Sequence, residues 1–432
     1  MDAATMNDLL KIEITGPVVM TIAVVIGVGL FLLLFLRPSS RWAITAVLGI
    51  SIAALVGWLT VWLVEDVMDV FHVGLTPRVW FWVITGFAAL GLAIATFRHS
   101  ARWRKVVAAI SIPVFLLVTA LGVNTEFGLN NTLGSALGIP TEDPITLNKP
   151  DPDAAIPSGP LWQKWKPPAD MPAQGKVGTQ VIPATASGFN ARPAGIYLPP
   201  AALTANPPRL PLYVLMMGQP GLPDPQYVAA ALDDFAAKNN GLAPIAIVAD
   251  QIGPDQDDTL CLDTATYGNV EKYINVDVVN WAKQNLNILP DRDHWTIAGY
   301  SNGGQCAISF AVKYPQMWGN VVDISGEEFP GAEDPAGNLA EIFHGDQAAY
   351  DAQKPINIMR GKQFPDTTAV FTAGSDDVVY VAAAKAVSAA AKASGMTVTY
   401  YEVPNGGHVG IALNAGLVKG FEVLYPRLGL SR

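Results

Sequence analysis

The sequence contains few cysteines, few histidines and little positive charge. Of its 432 residues, two are cysteine, five are histidine and 27 are lysine or arginine, against 37 aspartates and glutamates. The two cysteines, Cys261 and Cys306, are too few for a thiolate zinc site and too far apart for a CxxC redox pair. The net charge of -10, without a basic cluster in the polar part of the chain, disfavours nucleic acid as a partner.

Long apolar segments occupy the first 125 residues. Four of them, at 17–36, 42–64, 79–97 and 106–123, are each long enough to cross a bilayer as a helix. The first segment lacks the basic leader and small-residue cleavage site of a signal peptide. The segments hold no charged residues of the kind that mark ion pathways, which disfavours a transporter. Residues 1–125 are therefore predicted to be a membrane anchor of four helices.

Charges between the apolar segments predict their orientation. Basic residues lie in the first and third connections: Arg37, Arg41, Arg98, Arg102, Arg104 and Lys105. The second connection, with Glu65, Asp66 and Asp69, and the N-terminal tail are acidic. Because basic loops stay on the cytoplasmic side, we expect the N-terminus and everything after the fourth segment to lie outside the cytoplasm of a bacterial-type cell.

The rest of the chain falls into a linker and one α/β domain. Residues 126–176 are rich in proline, which favours an extended spacer. Residues 177–432 alternate short apolar strands with amphipathic helices, which predicts the α/β fold class with a mainly parallel sheet covered on both faces. Strands are predicted at 194–198, 212–217, 245–249, 295–300, 321–324, 369–373 and 397–401, and helices at 227–238, 270–287, 303–314, 379–394 and 411–424.

A nucleophile motif follows the predicted strand 295–300. The sequence there is Gly299-Tyr-Ser301-Asn-Gly303, the G-x-S-x-G pattern, and a helix is predicted after it. The two glycines allow the strand and the helix to approach each other closely around a strained serine backbone. The pattern in this context predicts Ser301 as a catalytic nucleophile.

A serine nucleophile needs a histidine base, and one histidine fits. His72 and His99 belong to the predicted membrane region, His294 precedes the nucleophile strand, and His344 precedes the candidate acids. The remaining histidine, His408, lies in a glycine-rich loop after the last predicted strand. Loops at the carboxyl ends of strands carry the base in this fold, so His408 is the predicted base.

The acid that orients the base is expected between these two residues in the chain. The strand 369–373 leads into Gly374-Ser-Asp376-Asp377, which gives the chain order Ser, Asp, His of α/β-hydrolases. Asp377 is preferred from its spacing after the glycine, with Asp376 as the alternative. Backbone N–H groups of Asn302, after the nucleophile, and of Gln219, after strand 212–217, are the predicted oxyanion donors.

These motifs resemble the putative esterase family of α/β-hydrolases, the group that includes esterase D and mycolyltransferases of the antigen 85 type. The resemblance extends from about residue 178 to the C-terminus and rests on segments 191–200, 217–221, 295–304 and 323–326 and on His408. Many members have His-Gly where this chain has Met217-Gly218. The resemblance implies ester hydrolysis or acyl transfer through an acyl-serine intermediate.

Two further groups of residues remain. Cys261 and Cys306 are predicted to form a disulfide in an external domain, with buried free thiols as the alternative. Asp250, Asp258, Glu327 and Glu328 lack the spacing of metal ligands, so no metal and no cofactor is expected. These acids are interpreted as solvated loop residues, with contacts to substrate as the alternative.

The sequence therefore predicts a membrane-anchored serine esterase or acyltransferase outside the cytoplasm. Its expected partners are the bilayer and an ester of an envelope lipid or an acyl-sugar. An aminoacyl-phospholipid hydrolase or a peptidase on the same triad is the first alternative. The second is an envelope binding or scaffold protein that keeps the fold without catalysis, which is disfavoured because no triad residue is missing.

Overall fold

The computed structural model describes residues 8–37, 39–68, 74–98, 100–128, 130–139, 141–147, 150 and 159–432. The chain divides into two compact units, residues 1–141 and residues 142–432. Each unit is described by itself below. Asp69, His72 and His99 lie outside the described residues, as does 151–158 of the predicted linker.

The first unit contains four long apolar helices, as the sequence predicts. Each is long and apolar enough to cross a membrane. The helices span Pro17–Phe35, Ser40–Trp62 (continued as a π-helix over Leu63–Val67), Pro77–Thr96 and Arg102–Phe127, and a short helix follows at Leu133–Ala136. The second and third helices approach each other closely where Gly91 faces the Gly49 carbonyl. A Cβ on Gly91 would overlap that oxygen, so the approach requires a glycine there.

Opposite charges mark the two ends of these helices. At one end, Arg104 donates to main-chain carbonyls at the end of the first helix, including Leu36 O at 3.3 Å. At the other end, Glu65 accepts hydrogen bonds from Trp80 Nε1 at 2.8 Å and from Leu75 N at 3.0 Å. The basic and acidic connections predicted from the sequence thus lie at opposite ends of the helices.

The second unit is built around an eight-stranded, mainly parallel sheet. The described part of the unit has eight strands in this sheet and two, β5 and β6, in a separate small sheet; in chain order they are β1 (Lys176–Gln180), β2 (Ala194–Leu198), β3 (Leu212–Met216), β4 (Ile245–Ala249), β5 (Asp263–Thr264), β6 (Gly268–Asn269), β7 (Trp295–Tyr300), β8 (Asn320–Ile324), β9 (Thr368–Gly374) and β10 (Thr397–Val403). The order in the large sheet is β1-β2-β4-β3-β7-β8-β9-β10, and β5 pairs with β6. The pairs β1/β2 and β2/β4 are antiparallel, and the other pairs of the large sheet are parallel.

The seven predicted strands are confirmed, and the fold class with them. β1 was not predicted because its sequence, Lys-Val-Gly-Thr-Gln, is mostly polar and only partly buried, as an edge strand can be. Part of the predicted spacer contacts the unit: Ile145 N donates to Thr179 O at 3.1 Å. A short helix at Leu161–Lys164 lies in the same segment.

Helices cover the sheet, and its six inner strands, β2, β4, β3, β7, β8 and β9, are buried at every position. The helices span Gln226–Lys238, Val270–Lys272, a π-helix Tyr273–Val278, Val279–Asn285, Asn302–Lys313, Pro335–Glu341, Gln347–Gln353, Pro355–Arg360, Val378–Ala393 and Gly410–Arg427. The predicted helix at 270–287 is therefore interrupted by a π-helical turn. β7, which precedes Ser301, is buried at every position, as is the following helix except at its last residue.

Candidate active site

Ser301 lies in the turn between β7 and the helix Asn302–Lys313, here named the nucleophile helix. Its backbone has φ 55° and ψ -124°, a conformation that L-residues rarely adopt. A Cβ on Gly299 would overlap the Gly303 carbonyl, and a Cβ on Gly303 would overlap the Met216 carbonyl. The glycines of the motif are therefore required by close backbone contacts, and the strained serine presents its hydroxyl at the end of β7.

The predicted serine, histidine and aspartate lie in hydrogen-bond contact. His408 Nε2 is 2.8 Å from Ser301 Oγ, and His408 Nδ1 is 2.7 Å from Asp377 Oδ2. The sheet order explains this assembly, because β9 and β10 are parallel neighbours whose carboxyl ends lead to Asp377 and His408. Ser301 follows β7, which is separated from β9 only by β8.

The structure distinguishes the two candidate acids. Asp376 N donates to the Gly406 carbonyl at 2.8 Å, and the Asp376 carboxylate accepts from Ser375 Oγ at 3.0 Å. The Asp377 carboxylate instead contacts His408 and is largely buried. Asp377 is thus the residue placed to orient the histidine, and Asp376 holds the turn against the loop of His408.

The other described histidines lie away from this constellation. His294 is in a 3-10 turn before β7, at the opposite end of that strand, and burial lowers its pKa. His344 is exposed in the segment between two short helices. Their positions agree with the sequence argument that excluded them.

Two aromatic rings that the sequence did not identify pack on His408. The ring centroid of Tyr380 is 4.0 Å from that of His408, and the ring centroid of Tyr300 is 5.3 Å away. Tyr380 lies on the helix that begins directly after Asp377, so the acid and this ring are positioned by the same element. Tyr300 occupies the variable position before the serine in the G-x-S-x-G motif, and no local motif marks Tyr380; each contact with His408 joins distant parts of the chain.

The segments that carry the predicted oxyanion donors lie next to the serine. Asn302 is the first residue of the nucleophile helix, whose N-terminal N–H groups favour negative charge. The loop with Gln219 approaches from β3, and a Cβ on Gly218 would lie 3.3 Å from Ser301 Cβ. Within residues 159–432 the main-chain N–H groups of Asn302 and Gln219 donate to no main-chain carbonyl, which is compatible with their predicted role as oxyanion donors.

A buried ion pair holds the loop of Gln219. Arg192 Nη2 is 2.7 Å from Asp250 Oδ1, and Arg192 Nη1 donates to the Gly221 carbonyl at 2.9 Å. Asp250 is 1% exposed, so its interpretation as a solvated residue is corrected. It was misjudged because its partner lies 58 positions earlier in the chain.

Cys261 and Cys306 form a disulfide, as predicted. Cys306 lies on the nucleophile helix and Cys261 in the segment after β4, here named the 250–262 loop. Asn302 supports the same connection: its Nδ2 donates to Asp258 Oδ1 at 2.8 Å, and its Oδ1 accepts from Gln251 Nε2 at 3.1 Å. The disulfide and the Asn302 side chain therefore fix the 250–262 loop beside the nucleophile.

We expect the Cys261→Ser/Cys306→Ser double variant to be less stable than the native protein. The bond joins residues 45 positions apart, and a cross-link of that span stabilises by ~4 kcal/mol through the unfolded chain. The midpoint of thermal inactivation of ester hydrolysis should fall. Reductant should lower the midpoint of the native protein and leave the double variant unchanged. Equal midpoints for both proteins without reductant would contradict a stabilising role.

Comparison with known proteins agrees with this geometry. Residues 190–398 match the model of the putative esterase family. An uncharacterized protein of Corynebacterium glutamicum is 28% identical over 445 residues, which cover 99% of this chain and 100% of the relative. The match to that relative therefore includes the apolar helices as well as the second unit.

Similar solved structures include a hydrolase and an esterase. An S-formylglutathione hydrolase from Agrobacterium tumefaciens is 16% identical, covers 60% of this chain and 97% of that chain, and has a TM-score of 0.49. A ferulic acid esterase is also 16% identical, with 59% and 99% coverage and a TM-score of 0.49. Residues 190–398 of the second unit are similar to the putative esterase family, and the chain is a serine ester hydrolase.

Proposed function

We propose that this serine ester hydrolase is anchored in a membrane with its catalytic unit outside the cytoplasm, and that it cleaves ester bonds of envelope lipids or acyl-sugars. The catalytic activity is supported by the hydrogen bonds that join Ser301 to His408 and His408 to Asp377.

The geometry supports a two-step mechanism with an acyl-serine intermediate. Ser301 Oγ attacks the ester carbonyl while His408 Nε2 accepts its proton, and Asp377 accepts a hydrogen bond from Nδ1 and stabilises the charged ring. The N–H groups of Asn302 and Gln219 stabilise the tetrahedral oxyanion. His408 then protonates the leaving alcohol, and water activated by the same histidine hydrolyses the acyl-serine.

Three observations support the membrane location. Four helices are long and apolar enough to span a bilayer. The basic connections, including Arg37 and Arg104, lie at one end of these helices, which the positive-inside rule assigns to the cytoplasm. The disulfide between Cys261 and Cys306 suits an oxidising compartment. Together they favour an external position for residues after the fourth helix.

Apolar side chains exposed beside the triad support a lipid or acyl substrate. Val378 and Val379, which follow Asp377, are 77% and 63% exposed, and Ile411, three residues after His408, is 48% exposed. These residues come from the two segments that carry the acid and the base. An apolar chain of a substrate could cover them on binding, which would remove apolar surface from water.

Labelling of intact cells tests the proposal. A membrane-impermeant fluorophosphonate should label the native protein before lysis, because Ser301 is activated and external. The Ser301→Ala variant, expressed to the same level, should remain unlabelled before and after lysis. Labelling of the native protein only after lysis would contradict the external location. A folded native protein that never labels would contradict an activated serine and favour a scaffold role.

A further inference from the structure

Two acidic side chains that the triad does not use lie beside it. Asp258 Oδ1 accepts a hydrogen bond from Asn302 Nδ2 at 2.8 Å, and Asn302 directly follows the nucleophile. Glu333 Oε1 accepts from the Tyr380 hydroxyl at 2.8 Å, and the Tyr380 ring packs on His408. The two carboxyl groups thus contact a neighbour of the nucleophile and a neighbour of the base.

A third carboxyl group, that of Glu327, is buried and close enough to these two for their charges to raise its pKa, and one of its oxygens lacks a partner. Glu327 is 6% exposed, so its interpretation as a solvated residue is corrected. In the described part of the chain, its Oε2 has no hydrogen-bond partner. A buried carboxyl oxygen without a partner costs free energy, which a bound ligand with a hydrogen-bond donor would offset. Asp258, Glu327 and Glu333 are named the acidic cluster below.

The electrostatics of the cluster favour a positive ligand. Burial raises the pKa of Glu327 well above its usual value, and the charges of Asp258 and Glu333 raise it further, although the N–H of Ala332 acts in the opposite direction. Burial also raises the pKa of Asp258, although the N–H of Leu260 acts in the opposite direction. A positive group placed among these carboxyls would favour their charged forms and relieve their repulsion.

No positive side chain fills this role within residues 159–432. None of the described ion pairs joins a lysine or arginine to Asp258, Glu327 or Glu333. Lys354 packs on the ring of Tyr350 and pairs with Asp351 instead. The described side chains also include no group of three that is arranged to hold a metal ion. A ligand ammonium group has the missing charge and hydrogen-bond donors.

We propose that the acidic cluster binds an ammonium group of the substrate, so that the enzyme prefers esters that carry a protonated amine near the scissile bond. This proposal rests on the proposed ester hydrolysis at Ser301 and names its substrate class. Glu333 is exposed, Asp258 is partly exposed and Glu327 is buried, so the cluster extends from the surface inward beside the triad. The ammonium group would donate a hydrogen bond to Glu327 Oε2.

Ester pairs that differ only in the ammonium group test this preference with the full-length protein. On the acyl side, alanyl is compared with isobutyryl, and 6-aminohexanoyl with heptanoyl, as esters of one alcohol. On the alcohol side, 2-(dimethylamino)ethyl acetate is compared with 3-methylbutyl acetate. We expect a higher kcat/KM for the ammonium member of at least one pair. The side on which the preference appears shows whether the amine belongs to the acyl group or to the alcohol.

The Glu327→Gln variant should reduce the preference by about 10- to 100-fold, the loss typical of a hydrogen bond to a charged group. Its kcat/KM for the neutral esters should stay within about twofold of the native value, which also shows that it folds. Glu333→Gln, at an exposed position, serves as a second variant and should reduce the preference less. Glu422→Gln, on the exposed face of the last helix, should leave the preference unchanged.

Different results separate the two proposals. An equal kcat/KM for both members of every pair, unchanged by Glu327→Gln, would overturn ammonium binding while ester hydrolysis stands. If the native protein hydrolyses no ester better than Ser301→Ala does, the proposed function fails. Binding of butylammonium then tests the ammonium site, because binding needs no catalysis. Butylammonium should raise the midpoint temperature of thermal unfolding of the native protein and leave that of Glu327→Gln unchanged. Equal shifts in both proteins would overturn the ammonium site.

Discussion

Replacing Ser301 with alanine is expected to lower kcat for ester hydrolysis by ~10⁴- to 10⁶-fold, to a residual rate that depends on binding and on the oxyanion donors alone. The hydroxyl is the atom that His408 Nε2 contacts at 2.8 Å, and alanine removes it without adding volume. The measurement is the rate of hydrolysis of a soluble neutral ester by purified protein, together with the KM, which should change little.

The matched control is Ser309→Ala on the same nucleophile helix. Ser309 is buried like Ser301, and its hydroxyl accepts a hydrogen bond from Gln305 Nε2 at 2.7 Å, so its loss tests the cost of removing a hydroxyl from this helix. We expect Ser309→Ala to affect thermal stability and to keep kcat within a few-fold of native. A Ser301→Ala protein with more than about a tenth of native kcat would show that another residue is the nucleophile.

The sequence predicted the parts of this site that are encoded locally. The G-x-S-x-G motif between a strand and a helix places Ser301, because the strained turn and its two glycines lie within five residues. Asp377 and His408 followed from the chain order and from their loops after predicted strands. Six of the seven predicted strands are buried at every position, and they were identified because short continuous apolar runs between turns are typical of buried strands.

The sequence did not predict the parts of the site that depend on distant contacts. The sequence predicted Asp250 to be solvated, but the fold pairs it with Arg192. It also predicted Glu327 to be solvated, but tertiary packing buries this side chain. The packing of Tyr380 on His408 joins a helix to a loop 28 positions later, and no periodicity encodes such a contact. Burial of single polar residues is set by tertiary packing, which a pattern along one chain does not contain.

The Asp377→Asn variant is expected to lose ~10⁴-fold in kcat, whereas Asp376→Asn should retain kcat within a few-fold of native. Asparagine keeps the size of the side chain, but its amide N–H can donate to His408 Nδ1 and so favour the ring tautomer with its proton on Nε2. That tautomer cannot accept the proton of Ser301. Hydrolysis of a neutral ester by the two variants and by the native protein is the measurement.

Asp376 and Asp377 are matched controls for each other, because they lie in the same turn and their carboxylates contact different groups. Asp377 Oδ2 is 2.7 Å from His408 Nδ1, while the Asp376 carboxylate accepts from Ser375 Oγ. Asp376 also holds the His408 loop through its main-chain N–H, which asparagine retains. A kcat loss that is larger for Asp376→Asn than for Asp377→Asn would mean that the turn rearranges on substrate binding and that Asp376 becomes the acid. Equal small losses would mean that His408 works without a carboxylate partner.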